Sequence, residues 1–142
     1  MASIDPERVA DLLAEVAAAE IVPRFQKLAE GDISEKAGGE LVTVADVAAE
    51  QALERRLTAL LPGSVVVGEE AVAATPAVIE LLRGEDPVWV IDPIDGTGNF
   101  SRGVENFAVQ LALVRRGASQ AGWIYAPILK RLAVAEHGGG AL

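Results

Sequence analysis

Apolar positions in the first part of the chain recur with helical spacing. Val9, Leu12, Leu13 and Val16 follow the i, i+3, i+4, i+7 rule of an amphipathic helix. Asp5-Pro6-Glu7 in front of them supplies an N-cap, a proline at the first helical position and an acid in the first turn. The spacing predicts a helix that alanines 17 to 19 continue, Pro23 kinks, Phe25 and Leu28 extend on one face, and Gly31 ends. A second stripe, Ala49, Leu53, Leu57 and Leu60, predicts a helix that opens near Thr43 and stops at Pro62-Gly63. Thr43 followed three residues later by Asp46 is a near capping box, with aspartate in place of the usual Glu or Gln. Asp46, Glu50 and Glu54 share another face of this helix at i, i+4 spacing, where like charges repel. Between the helices, residues 34–40 read as a polar loop or irregular hairpin containing Lys36.

Beyond the second helix the pattern shortens to strands. Residues 64–67 and 88–91 are short runs rich in β-branched residues, and each ends in acids: Gly68-Glu69-Glu70 after the first, Asp92-Pro93-Ile94-Asp95-Gly96-Thr97 after the second. If the two strands are sheet neighbours, those carboxylates converge. Thr75-Pro76 opens a short connecting helix that ends near Gly84. Residues 106–114 alternate, with Phe107, Val109, Leu111 and Leu113 on one face and Ala108, Gln110, Ala112 and Val114 on the other. Both faces are largely apolar, so this strand is expected to be covered on both sides. A turn at 115–119 and two more strands, 121–126 and 132–135, make an antiparallel meander. The fold class expected is α+β, one domain over 1–142, with two N-terminal helices packed on an antiparallel sheet.

Composition narrows the chemistry. With 142 residues, 51% of them hydrophobic, and two tryptophans, the chain suits a single packed domain; a chain of this size buries about 70% of its unfolded surface. No run approaches the roughly 20 apolar residues of a membrane span. The first residues lack the basic and apolar regions of a signal peptide. A cytoplasmic protein without a membrane partner is the expectation. The absence of cysteine excludes disulfides, zinc-thiolate sites and thiol catalysis. The single histidine, His137, sits beside three glycines and reads as a turn residue, so no histidine-based triad is assembled. A net charge of −9 argues against nucleic acid as a partner. It allows an anionic substrate if metal ions bring the positive charge.

The chemistry-bearing stretch is Asp92 to Thr97. Proline fixes its own φ and pushes the preceding residue to extended geometry, while glycine permits positive φ. Two carboxylates three residues apart therefore sit on a stiff turn at a strand end, with the Thr97 hydroxyl two residues on. Oxygen ligands on a rigid scaffold suit hard cations such as Mg²⁺ or Mn²⁺. Read by residue type alone, each piece has a plainer alternative. Asp-x-x-Asp is also an Asx-rich turn, Asp46 a helix cap, Gly-Glu-Glu a solvated turn and Lys36 an exposed lysine. A plain interaction module, whose acids are all surface turns, therefore stands beside the metal reading.

Trp89-Val90-Ile91-Asp92-Pro93-Ile94-Asp95-Gly96-Thr97-Gly98-Asn99-Phe100 resembles the signature of the inositol monophosphatase family, within the magnesium-dependent, lithium-sensitive phosphatase superfamily. Thr43-Val44-Ala45-Asp46-Val47-Ala48-Ala49-Glu50 is similar to that family's Thr-x-Ala-Asp-x-x-x-Glu element, and Gly68-Glu69-Glu70 to its Gly-Glu-Glu. The resemblance implies the N-terminal part of a layered α/β/α/β/α fold and Mg²⁺-dependent hydrolysis of a phosphate monoester. It implies metal ligation by Glu69, Asp92, the Ile94 carbonyl and Asp95. Glu69, Thr97 and Asp46 take the catalytic roles, Asp95, Gly96 and Thr97 contact substrate, and Glu70 and Lys36 are neighbours of the site. It further implies a homodimer at full length.

Relatives acting on adenosine bisphosphates or histidinol phosphate often carry lysine after Asp-Gly-Thr. Gly98 stands there instead, which implies inositol monophosphate or a similar polyol phosphate as substrate, with a bisphosphate nucleotidase or histidinol-phosphatase as the alternative. Tyr125-Ala126-Pro127 departs from a frequent aspartate before that proline. The resemblance covers about the first half of a family member. The Trp-Asp-x-Ala-Ala-Gly element of the second half, with a further metal-ligating aspartate, has no counterpart here. The expectation is therefore an N-terminal domain without its C-terminal one, able to bind metal, a poor catalyst alone and prone to associate, with an inactive metal-binding remnant as the other outcome.

Overall fold

Residues 4–35, 41–136 and, as backbone only, 140–141 are described in the structure, a computed structural model. Lys36 and His137 lie outside the described residues. Helix α1 spans Pro6–Val16 and starts as the sequence predicts: the Asp5 carboxylate accepts from the Glu7 N–H at 3.0 Å, and Pro6 takes the first position. It buries Val9, Leu12, Leu13 and Val16.

The expected extension to Gly31 does not form. The ladder widens to a π-turn over Ala17–Ile21, tightens to a 3₁₀ turn over Val22–Arg24, and leaves helical geometry at Phe25, whose ψ is 127°. Pro23 is the cause, because it has no N–H to give to the preceding turn. The Arg24 guanidinium donates to the Glu20 carbonyl at 2.7 Å, giving that helix end a side-chain donor.

A short antiparallel ribbon, β1 (Ile33–Glu35) and β2 (Leu41–Thr43), leads into helix α2, Val44–Leu60. The main sheet has six strands in the order β3-β4-β5-β6-β7-β8. They are Val65–Gly68, Val88–Asp95, Ala108–Arg115, Ala118–Ala126, Arg131–Glu136 and Gly140–Ala141. The meander is antiparallel as expected, but β3 and β4 run parallel, so the sheet is mixed. Parallel neighbours need a long crossover. Here it holds helix α3 (Glu69–Ala74) and a 3₁₀ segment, Pro76–Arg83.

Helices α1 and α2 cover one face of the sheet. Their stripes meet Trp89, Ile91, Val109, Leu111, Leu113 and Trp123 in one cluster. The two buried tryptophans lie 5.9 Å apart between ring centroids, and each indole N–H finds an acceptor, as buried Trp requires. Trp89 donates to Ser64 Oγ at 3.1 Å and Trp123 to the Pro6 carbonyl at 3.1 Å, which ties β6 to the first turn of α1. The second face of β5 is not buried in the same way. Gln110 and Ala112 are only half-buried there, and with Val90, Gly122, Ala133 and Ala135 they line an open groove of about 430 Å³. Among the described residues, no helix is long and apolar enough to cross a membrane.

Candidate active site

The parallel register of β3 and β4 decides where the acids meet. Val67 pairs with Val90 and Gly68 with Ile91, so Glu69 and Asp92 leave adjacent strands at the same level. Their side chains share a hydrogen bond. Burial, that bond, and the charges of Glu69, Asp95 and Asp46 push the Asp92 carboxyl up from 3.8 to about 8. Asp92 Oδ1 is buried and has no hydrogen-bond partner among the described residues. A buried carboxylate oxygen without a donor is costly, by about 1–3 kcal/mol or more.

Beyond Asp92 the β4–β5 pairing slips, resuming at Asp95 opposite Ala108. The slip places Asp95 at the exposed rim, where it accepts from Gln110 Nε2 at 2.9 Å. Gly96 then turns the chain into helix α4, Thr97–Ser101, with φ of 95°. A Cβ at this position would stand 3.0 Å from the Asn106 carbonyl, so conformation and space both require glycine. Phe100 pins α4 from below through an edge-on contact with Phe107 at 5.0 Å and a tilted one with Phe25 at 6.0 Å.

Thr97 Oγ1 lies 2.9 Å from Asp46 Oδ1 and 3.0 Å from the Ile94 carbonyl, the two acceptors for its proton. Asp46 is itself held on its other oxygen. Oδ2 accepts from the Thr43 N–H and the Thr43 hydroxyl, both at 2.7 Å, while Thr43 Oγ1 accepts from the Ala45 and Asp46 amides. This is the complete capping box of α2, at 1% exposure of Asp46. Burial raises the Asp46 carboxyl, and the bonds from Thr43 and Thr97 oppose that rise.

The structure thus brings Glu69, Asp92, Asp46, Thr97 and Ile94 together, with Asp95 and Gly96 at the rim. Glu70 lies in the first turn of α3. Sequence reading left Glu50 without a role, yet it is 7% exposed and accepts from the backbone N–H of Glu70 at 2.8 Å and of Ala71 at 2.9 Å. Its signals were its place a turn beyond Asp46 on the same helix face and its position as the glutamate that closes the Thr-x-Ala-Asp-x-x-x-Glu likeness.

Oxygen donors alone, mutually repelling acids and an orphaned buried oxygen fit a hard divalent cation in kind. Among the described residues no three acids or histidines already stand together as a finished cage. Asp95 in particular is turned toward Gln110.

The inositol monophosphatase family model matches residues 5–142. The inositol-1-monophosphatase of Caulobacter vibrioides is 38% identical over 120 residues, covering 82% of this chain and 44% of that protein. Its Mycobacterium leprae counterpart is 36% identical over 149 residues, covering 96% and 50%. The structure of the Thermotoga maritima IMPase superposes with a TM-score of 0.80 at 28% identity, over 96% of this chain and 49% of that one. The chain spans about half the length of the curated relatives it matches.

Proposed function

The chain belongs to the inositol monophosphatase family, and on that premise we propose that the protein hydrolyses a small phosphate monoester with the help of Mg²⁺, or Mn²⁺ in its place. One observation carries this reading: the orphaned Asp92 oxygen at the paired ends of β3 and β4, on which the charges of Glu69, Asp95 and Asp46 act. Asp92, Glu69, Asp95 and the Ile94 carbonyl would hold the metal. When bound, the ion supplies charge neutralisation on the phosphoryl group and acidifies the attacking water.

The protein's own part is positioning. Asp46, locked by Thr43, orients the Thr97 hydroxyl so that its oxygen would accept a hydrogen bond from the attacking water, and the Glu69 carboxylate would take that water's proton. The backbone amides of Gly96 and Thr97 would contact the phosphate. Inhibition by lithium, a cytoplasmic location and a homodimer belong to the same reading.

Phosphate release from inositol monophosphate tests it. Activity should require Mg²⁺, vanish with a chelator, and fall about 10²-fold or more in Thr97→Ala, the usual scale of a lost proton-transfer group. Release that ignores the chelator sinks the proposal.

A nucleotide phosphate is the second reading, favoured by Arg102. One turn after Gly98, its guanidinium would stand 3.3 Å from a Cβ placed at residue 98 and is anchored on Asn99 at 2.9 Å. A cation therefore occupies ground that Gly98 leaves uncharged. A single basic contact of this kind shifts preference by about 1–2 kcal/mol, roughly 5- to 30-fold. We favour the polyol phosphate, and kcat/KM for inositol monophosphate against a 3′,5′-bisphosphorylated nucleotide decides. A tenfold nucleotide advantage reverses the order.

A further inference from the structure

We propose that Glu50 is a positioning residue that aims Glu69 at Asp92. The inference rests on the reading of Glu69 as a metal ligand. Each Glu50 carboxylate oxygen is committed to a backbone amide: Oε1 accepts from Glu70 at 2.8 Å and Oε2 from Ala71 at 2.9 Å. Those amides are in the first turn of α3, a helix of six residues. A helix that short does not hold its own geometry in water, so its first turn, Glu69 included, takes the orientation its attachments impose.

A local residue could have capped α3. Ser, Thr, Asp or Asn at position 68 is the ordinary solution. The chain has Gly68 there, with φ of −102° and ψ of 152°, which any residue adopts. Glycine is present for room: a Cβ at residue 68 would stand 2.5 and 2.6 Å from the two Glu50 carboxylate oxygens. The local cap has been given up so that a carboxylate from α2 can reach in. That carboxylate enters against electrostatics, beside Glu70 and Glu54 and out of water.

What the arrangement achieves is a common reference. Asp46 and Glu50 lie one turn apart on α2; the first grips Thr97 at 2.9 Å and the second grips the segment after Glu69. One rigid helix face thereby sets both halves of the site, the β4 turn and the end of β3.

The test compares the chain with Glu50→Gln and Gly68→Ala. Glutamine keeps the size but has one acceptor oxygen, so an NH₂ group faces one of the two amides. Alanine at 68 pushes the carboxylate away from the other side. Leu57→Val, which thins the core beneath the same helix at a fully buried position, is the stability control. Mn²⁺ titration calorimetry, denaturant midpoints and metal-free exchange of the Glu70 and Ala71 amides are read on all four proteins.

Both test variants should raise the Mn²⁺ Kd about tenfold or more, the scale for lost support of metal ligands, and speed exchange of both amides. Leu57→Val should lower the midpoint and leave Kd unchanged. Test variants that behave like Leu57→Val, or that both fail to fold, overturn the inference by making Glu50 a structural tie alone. A wild type that binds no Mn²⁺ overturns the ligand reading itself, and the purpose assigned to Glu50 with it.

Discussion

Asp46 at the start of α2 and Asp92 near the end of β4 are both drawn out of water, and burial raises both carboxyls. Their surroundings treat them oppositely. Around Asp46, Thr43 supplies an amide and a hydroxyl to one oxygen, and Thr97 supplies a hydroxyl to the other. Around Asp92 the protein supplies further acids, and one buried oxygen has no donor among the described residues. The contrast separates two uses of a buried carboxylate. One whose donors all come from the fold is an orienting part. One that feels further acids would be complete only when positive charge arrives from outside, so on the proposed reading folding and metal affinity would be set at different residues of one site.

The largest effect expected from this contrast is on metal binding. At Mn²⁺ one hundred times its Kd, binding to the folded state alone stabilises it by about 2.7 kcal/mol. Thermal melts with and without Mn²⁺ should show that gain in the wild type and in Asp46→Asn, and lose it in Asp92→Asn. A full shift in Asp92→Asn removes the distinction. Metal-free protein carries a pH signature of the same residue. The Asp92 carboxyl is raised in the fold from 3.8 to about 8. Its contribution to stability is therefore fully present below pH about 4 and is lost as pH rises to about 8. The wild type should weaken across that window relative to Asp92→Asn when denaturant midpoints are compared in chelator. A constant difference between the two proteins contradicts the assignment.

Next in size is Asp46→Asn without metal. An amide NH₂ in place of an oxygen faces donors from Thr43, so a buried bond is lost and a donor stranded, at about 1–3 kcal/mol. Gly96→Ala should follow at about 1–2 kcal/mol, the cost of a left-handed non-glycine residue, with some addition from the Asn106 carbonyl 3.0 Å away. Denaturant unfolding measures both. Loss of the Mn²⁺ shift in Asp46→Asn at retained stability would place Asp46 among the ligands and erase its contrast with Asp92.

Much of this was legible in the sequence because it is local. The Thr43–Asp46 box spans three residues, and the turn after Asp92 is written by Pro93 and Gly96. The α1 stripe was legible for the same reason. Convergence of Glu69 and Asp92 followed from two apolar runs ending in acids, although their parallel pairing depends on how the 69–87 crossover packs. The early end of α1 shows one proline outweighing an apolar face that continues past it. Glu50 is named by the Thr-x-Ala-Asp-x-x-x-Glu likeness, but its role was hidden, since its partners lie 20 and 21 residues away across an α2–α3 contact that no periodicity encodes. The second face of β5 is expected to be covered and is half-open among the described residues; small apolar residues are equally consistent with burial and with an uncovered sheet.

The smallest expected effect isolates capping from everything else. Asp5 caps α1 as Asp46 caps α2, with its carboxylate accepting from the Glu7 N–H at 3.0 Å, but at an exposed position. Water replaces a lost bond there, and Pro6 at the first helical position still fixes φ. Asp5→Ala should cost about 0.5–1 kcal/mol, the lower part of the range for N-caps, and leave the Mn²⁺ shift intact. The difference between Asp46→Asn and Asp5→Ala then measures what burial and the Thr97 bond add to an ordinary cap. Equal costs for the two, read from denaturant midpoints under one buffer, would mean that Asp46 is only a cap and that Thr97 is oriented by the Ile94 carbonyl alone.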